Sequence, residues 1–114
     1  MLDLTSVVSG PLATMFLADQ GAEVIKVEPL GGDITRQSRQ SVSASGEFSA
    51  LFVSTNRGKR SLSLDLKRPE AATIMRKLIC RADVLVQNFR PGTMPNAGCF
   101  RLIWPVLNRF GLGP

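Results

Sequence analysis

The side chains best suited to chemistry are the five aspartates, Asp3, Asp19, Asp33, Asp65 and Asp83, and one dense basic run, Arg57-Gly58-Lys59-Arg60. General acid–base work needs a base or a second carboxylate within reach of the first. None of the aspartates has such a partner at useful spacing, so each reads as a strand-end, surface or capping group. The chain has no histidine, which removes Ser-His-Asp and Cys-His nucleophiles, His metal ligands and His proton transfer together. Cys80 and Cys99 do not form a metal-type cluster and read as free thiols in a reducing compartment. The basic run has two readings. It is either a solvated turn or a site where lysine and arginine meet phosphate groups through charge-assisted hydrogen bonds. Lys67-Arg68 carries the basic character further along. No catalytic residue is assigned, and the chemistry on offer is binding.

The elements that must position these groups follow from periodicity. Met1 to Thr5 alternates and reads as a strand. Gly10-Pro11 punctuates, and Pro11 suits a first helical turn. Leu12, Met15 and Phe16 keep helical spacing up to Gln20, with Gly21 as the stop. Ala22 to Glu28 is a second strand, so the first 28 residues form a strand-helix-strand unit that implies a parallel pair. Pro29 to Ser45 reads as a polar loop, and Glu47 to Ser54 as a short helix packing Phe48, Leu51 and Phe52 inward. Ser61 to Asp65 is a strand. Pro69 opens the best helix, whose apolar stripe is Ala71, Ile74, Met75, Leu78 and Ile79. Asp83 to Gln87 closes a second unit. Arg101 to Trp104 resembles one more strand, and the segment from Asn108 to Pro114 is left unfolded.

An open α/β sheet takes ligands at the carboxyl ends of its strands. Three loops sit there: Ser6 to Gly10, Pro29 to Asp33, and Asn88 to Gly92. The first feeds a helix N-terminus, where free N–H groups favour an anion, although it matches neither GxGxxG nor a Walker A loop.

With 114 residues the chain has room for one domain, and its 44% hydrophobic and 20% charged residues exclude a disordered or fibrous class. A net charge of +5 favours anionic partners. One tryptophan, no tyrosine and no basic helix face argue against nucleic acid. No stretch is long and apolar enough to span a bilayer, so the expectation is a cytoplasmic protein with no membrane partner.

Three blocks in order carry more than any single motif. LDLTSVVSGPLATMFLADQGAEVIKVEPLGGDITR, NRGKRSLSLDLKRPE and ADVLVQNFRPGTM resemble the N-terminal blocks of the class III CoA-transferases, the CaiB/BaiF-like family that includes formyl-CoA transferase. The resemblance implies an α/β fold: a Rossmann-like parallel sheet with flanking helices, in subunits that interlock as homodimers. It implies coenzyme A, held as an acyl-CoA substrate, a carboxylic acid as acceptor, and no metal. Carried over by position, the CoA contacts are Val7, Val8 and Ser9, then Leu64 and Lys67, then Asn88, Phe89 and Arg90. Residues 1–94 become the CoA-binding part and residues 95–114 a divergent tail.

The chain also departs from the family pattern. The first strand is short by a residue or more, and Asn96 and Ala97 stand where relatives carry a basic CoA contact. RLIWPVLNRFGLGP resembles a later block, as if a helical segment between 97 and 101 were missing. The family's catalytic aspartate lies beyond that block. In relatives it attacks the thioester and carries the acyl group and then CoA covalently. The expectation is therefore a truncated CoA-transferase, inactive alone. The alternatives are an acyl-CoA racemase relative and a nucleotide-binding oxidoreductase domain, the latter disfavoured by the absent GxGxxG.

Overall fold

The computed structural model describes residues 1–37 and 49–90. In chain order the elements are β1 (Leu2–Leu4), α1 (Ser9–Asp19), β2 (Ile25–Glu28), a 3-10 turn (Ile34–Gln37), α2 (Ala50–Asn56), β3 (Arg60–Ser63), α3 (Pro69–Ile79) and β4 (Leu85–Gln87). The expected helix start at Glu47 with Phe48, the strand at 101–104 and the tail at 95–114 lie outside the described residues. All strand pairs are parallel, in the order β3-β2-β1-β4. Both strand-helix-strand units thus form as the alternation predicted, and the α/β class is borne out. From β1 the chain steps to one side, and from β3 it crosses to the other side of β1. The switch point therefore lies between β1 and β4.

The two faces of the sheet are built differently. On one, Leu2, Leu4 and Val27 pack against Met75 and Ile79 of α3, flanked by Ile25, Leu62 and Leu64. On the other, the alternating positions are Asp3, Thr5, Lys26 and Glu28, and all four are buried. Strand residues point alternately to opposite faces, so a single pattern of apolar and polar residues produces both layers. The polar face is covered by α1, through Pro11, Thr14 and Met15, and by α2, through Phe52, Thr55 and Asn56.

Pro69 fills the first turn of α3, where its missing N–H costs nothing. Ala71, Met75 and Ile79 form the buried row at four-residue spacing. The expected stripe is narrower than the sequence suggested. Ile74 is 42% exposed, because it lies one row to the side of the line that meets the short strands. In α1 Met15 is buried as expected, but Phe16 is 53% exposed. The reason is polar. The Thr14 hydroxyl donates to Asp3 Oδ2 at 2.7 Å, and this bond sets the rotation of the helix, turning Phe16 outward. Gly10 lets the start of α1 approach β1, since a Cβ there would fall 2.4 Å from Thr5 Cβ.

Candidate functional site: a cleft at the carboxyl edge of the sheet

Because every strand runs the same way, all four release their following loops on one edge. A cleft of about 740 Å³ opens there, lined by Leu4 to Ser6, Val27 to Ile34, Gln37, Leu64 to Lys67 and Phe89. Its volume is that of a small-molecule site. Val27, Leu30, Ile34, Leu64, Leu66 and Phe89 give it apolar walls, while Ser6, Asp65 and Lys67 supply polar groups at the ends of β1 and β3. Lys67 is exposed, and its backbone N–H donates to Asp65 Oδ1 at 3.1 Å, which fixes the turn after β3.

The wall formed by the loop after β2 is braced from beneath by charge. Glu28 Oε2 accepts from the Asp33 N–H at 2.8 Å and from Arg36 Nε at 2.9 Å. Its Oε1 accepts from Arg36 Nη2 at 2.6 Å and from Ser61 Oγ at 2.5 Å. Burial penalises the charged carboxylate, but the Arg36 and Ser61 hydrogen bonds, the Asp33 N–H and the Arg36 charge outweigh it and hold the Glu28 pKa at about 2. Arg36 in turn lies 3.8 Å over the Phe52 ring. Gly32 has φ +79°, and a Cβ there would come within 2.6 Å of Arg36 Cδ. The loop therefore needs glycine both for its backbone and for its packing on the brace.

Two further ion pairs fill the polar face behind the cleft. Lys26 Nζ lies 2.9 Å from Asp33 Oδ2 and donates to the Thr5 carbonyl at 2.8 Å, tying the end of β1 to the loop after β2. Lys59 Nζ donates to Asp3 Oδ2 at 2.9 Å, to the Pro11 carbonyl at 2.8 Å and to Asn56 Oδ1 at 2.9 Å. Burial works against the Asp3 and Asp33 carboxylates, but hydrogen bonds from Thr5, Lys59 and Thr14 on Asp3, and from Thr35 and Lys26 on Asp33, hold both below the usual carboxylate range. Burial pulls Lys59 down, and the Asp3 bond and charge only partly offset it. None of the buried side-chain polar atoms among the described residues lacks a partner.

The residues singled out from the sequence separate into groups. Leu64, Lys67 and Phe89 line the cleft. Val7, Val8 and Ser9 are exposed and lie just past its edge at Ser6. Asn88 and Arg90 are exposed at the end of β4, and the Asn88 side chain is paired with the Ser6 backbone. The basic run is neither a uniform solvated turn nor a phosphate cluster. Arg57 pairs with Asp19, Arg60 pairs with Glu23, and the Lys59 side chain is 2% exposed beside Asp3. The loop Pro29 to Asp33, expected at the carboxyl end of its strand, does form cleft wall together with Ile34; what position-by-position reading missed is its support by Lys26, Glu28 and Arg36. One signal was available. Parallel strands are buried on both faces, so Lys26 and Glu28 inside such a strand had to be paired.

Among the described residues no group of three His, Cys, Asp or Glu side chains gathers as a metal site, and no helix is long and apolar enough to cross a membrane.

A family model described as CoA-transferase family III matches residues 1–100. The chain is 50% identical over 101 residues to succinyl-CoA:mesaconate CoA-transferase of Haloarcula hispanica, covering 87% of this chain and 26% of that protein. It is 47% identical over 95 residues to succinate–glutarate CoA-transferase of Agrobacterium fabrum, covering 79% and 24%. A solved structure of a point mutant of Rv3272 from Mycobacterium tuberculosis superposes with a TM-score of 0.80 at 42% identity, over 97% of this chain and 29% of that one. A CaiB/BaiF family protein from Brucella suis also gives 0.80, at 34% identity, over 89% and 29%. The chain spans about a quarter of the length of the curated relatives it matches.

Proposed function

The chain belongs to CoA-transferase family III, and on that premise we propose that its cleft binds the coenzyme A portion of an acyl-CoA, for transfer of CoA to a carboxylic acid. The observation that carries this reading is the meeting of Leu64, Lys67 and Phe89 in one cleft, from segments far apart in the chain. Apolar walls suit the uncharged parts of the ligand, and Lys67 at the end of β3 offers a charge for its phosphates. Val7 to Ser9 and Arg90 border the same opening and extend the contact surface. No side chain caps the start of α1, which leaves its first N–H groups for an anion.

These residues bind CoA without completing the transfer. Glu28 and Asp33, the buried carboxylates of the cleft wall, are held in ion pairs, and Asp65 accepts the Lys67 N–H, so none is placed as a free nucleophile. Residues 1–94 form the CoA-binding part, residues 95–114 a divergent tail, and the assembly is the interlocked homodimer that the resemblance implies, in the cytoplasm. Exposed Phe16, Leu17 and Val53 on the packed helices α1 and α2 fit a partner that covers them.

Calorimetric titration with CoA, NAD and a short duplex DNA tests the reading. The expected result is binding of CoA alone, weakened about tenfold by Lys67→Ala. Preference for NAD, or DNA binding that survives added salt, would overturn it.

A further inference from the structure

The β1–β4 ladder ends at the pair Leu4 and Gln87. One step further on, the pairing continues through a side chain in place of the backbone. Asn88 Oδ1 accepts from the Ser6 N–H at 2.9 Å, and Asn88 Nδ2 donates to the Ser6 carbonyl at 2.9 Å. The carboxamide thus imitates a peptide unit, offering one donor and one acceptor to the two groups of Ser6. Beside it, Gln87 Oε1 accepts the Phe89 N–H at 2.8 Å. The strand ends thus stay fastened past the last backbone pair, and Ser6 and Phe89 both stand in the wall of the cleft.

The residue after Ser6 is under strain. Val7 has φ +71°, and among the described residues it is the only one other than glycine with a positive φ. A β-branched side chain disfavours that region strongly, so something must hold the turn in place. Val7 is also half exposed, at 51%, so its side chain is only partly packed. The clamp on Ser6 lies one residue earlier. The turn beside it is Val7 to Ser9, at the mouth of the cleft and at the start of α1.

We propose that Asn88 is a positioning residue, which locks the strained Val7 turn against the end of β4 and so fixes the edge of the ligand site. This rests on the reading that the cleft takes CoA. The geometry is specific about the mechanism. Both hydrogen-bonding ends of Asn88 are engaged with Ser6, and Asn88 is not among the residues lining the cleft, whereas its neighbours across the clamp are.

A double-mutant cycle of Asn88→Ala with Val7→Gly tests the proposal on the whole chain, with two readouts. Amide hydrogen exchange at Ser6 reports the clamp itself and needs no ligand. Titration with CoA reports the site. Asn88→Ala is expected to speed Ser6 exchange by about tenfold or more and to weaken CoA by about tenfold. In the Val7→Gly background the same substitution should cost much less affinity, because glycine adopts φ +71° without being held. Unchanged Ser6 exchange would overturn the clamp. An equal loss of affinity in both backgrounds would overturn the positioning role and make Asn88 a direct contact. If the wild-type chain bound no CoA, the functional reading would fail, while Ser6 exchange would still decide the clamp. Asn88→Asp keeps an acceptor for the Ser6 N–H but sets a carboxylate oxygen against the Ser6 carbonyl in place of the donor, so it serves if Asn88→Ala does not fold. It should give a change of the same sign in Ser6 exchange, and a wild-type exchange rate there would count against the clamp.

Discussion

Four donors converge on the Glu28 carboxylate: the Asp33 N–H, two nitrogens of Arg36 and the Ser61 hydroxyl. A carboxyl held at about 2 in the fold, against its usual 4.5, binds a proton less readily folded than unfolded. Its contribution is therefore complete above about pH 4.5 and is lost as the pH falls towards 2. The depth of that loss is on the order of 3 kcal/mol, and Asp3 and Asp33, also lowered, add to it in the same direction. Urea unfolding at pH 7 and pH 3 should show a steep acid loss in the wild type and a shallower one in Glu28→Gln, which should already be less stable by about 2 kcal/mol at pH 7. Equal acid slopes in the two proteins would remove Glu28 from the account. The buried pair of Asp3 and Lys59 makes a second case. Asp3→Ala strands a buried ammonium and should cost about 3–5 kcal/mol. Adding Lys59→Met removes the stranded charge, so the double variant should be more stable than the single one in the same denaturation measurement.

Among the elements, α3 shows how narrow a buried row can be. Met75 is fully buried and Ile74 lies one residue away at 42% exposure. Met75→Ala should cost about 2–5 kcal/mol through lost burial and the cavity left behind. Ile74→Ala should change stability by about 0.5 kcal/mol or less. Thermal melts of the two variants would separate them, and comparable losses would mean that the row is misplaced. The order, type and parallel sense of the strands and α-helices were legible from Pro69, Gly10-Pro11 and the alternating strands, whereas the 3-10 turn Ile34–Gln37 lies in a stretch that reads as polar loop. The rotation of α1 was not legible either. Leu12, Met15 and Phe16 are equally apolar to a periodicity argument. What chose between them was a hydrogen bond from Thr14 to Asp3 across two elements, which no local pattern encodes.

The whole molecule presents apolar side chains outward from α1 and α2, at Phe16, Leu17 and Val53. A chain of this size that leaves such groups in water should associate. Sedimentation across a concentration series is expected to show reversible self-association, reduced by Phe16→Ser. Concentration-independent monomers would contradict it. The candidate site was partly legible at this scale. The rule that ligands meet the carboxyl ends of parallel strands pointed to the right edge of the sheet, and the family resemblance supplied Leu64, Lys67 and Phe89. The same rule put the loop Pro29 to Asp33 at that edge, and its large share of the wall follows from β2 lying between β1 and β3.

By itself the sequence determined the two strand-helix-strand units, their parallel strands, the family and the edge of the sheet where a ligand belongs, because each of these rests on local spacing or on ordered motifs. The chemistry of the residues first singled out was decided by tertiary structure. Lys59 and the aspartates Asp3 and Asp33 offered themselves as phosphate-binding or surface groups, and the fold buried them as balanced ion pairs beneath the cleft. The physical reason is that a charge is read by its neighbours: Lys59 reaches Asp3 from 56 residues away, and Lys26 meets Asp33 only once the loop after β2 folds back. Alternation along β1 and β2 says only that two faces differ. Whether the polar face meets water or the buried ammonium of Lys59 depends on which helices close over it.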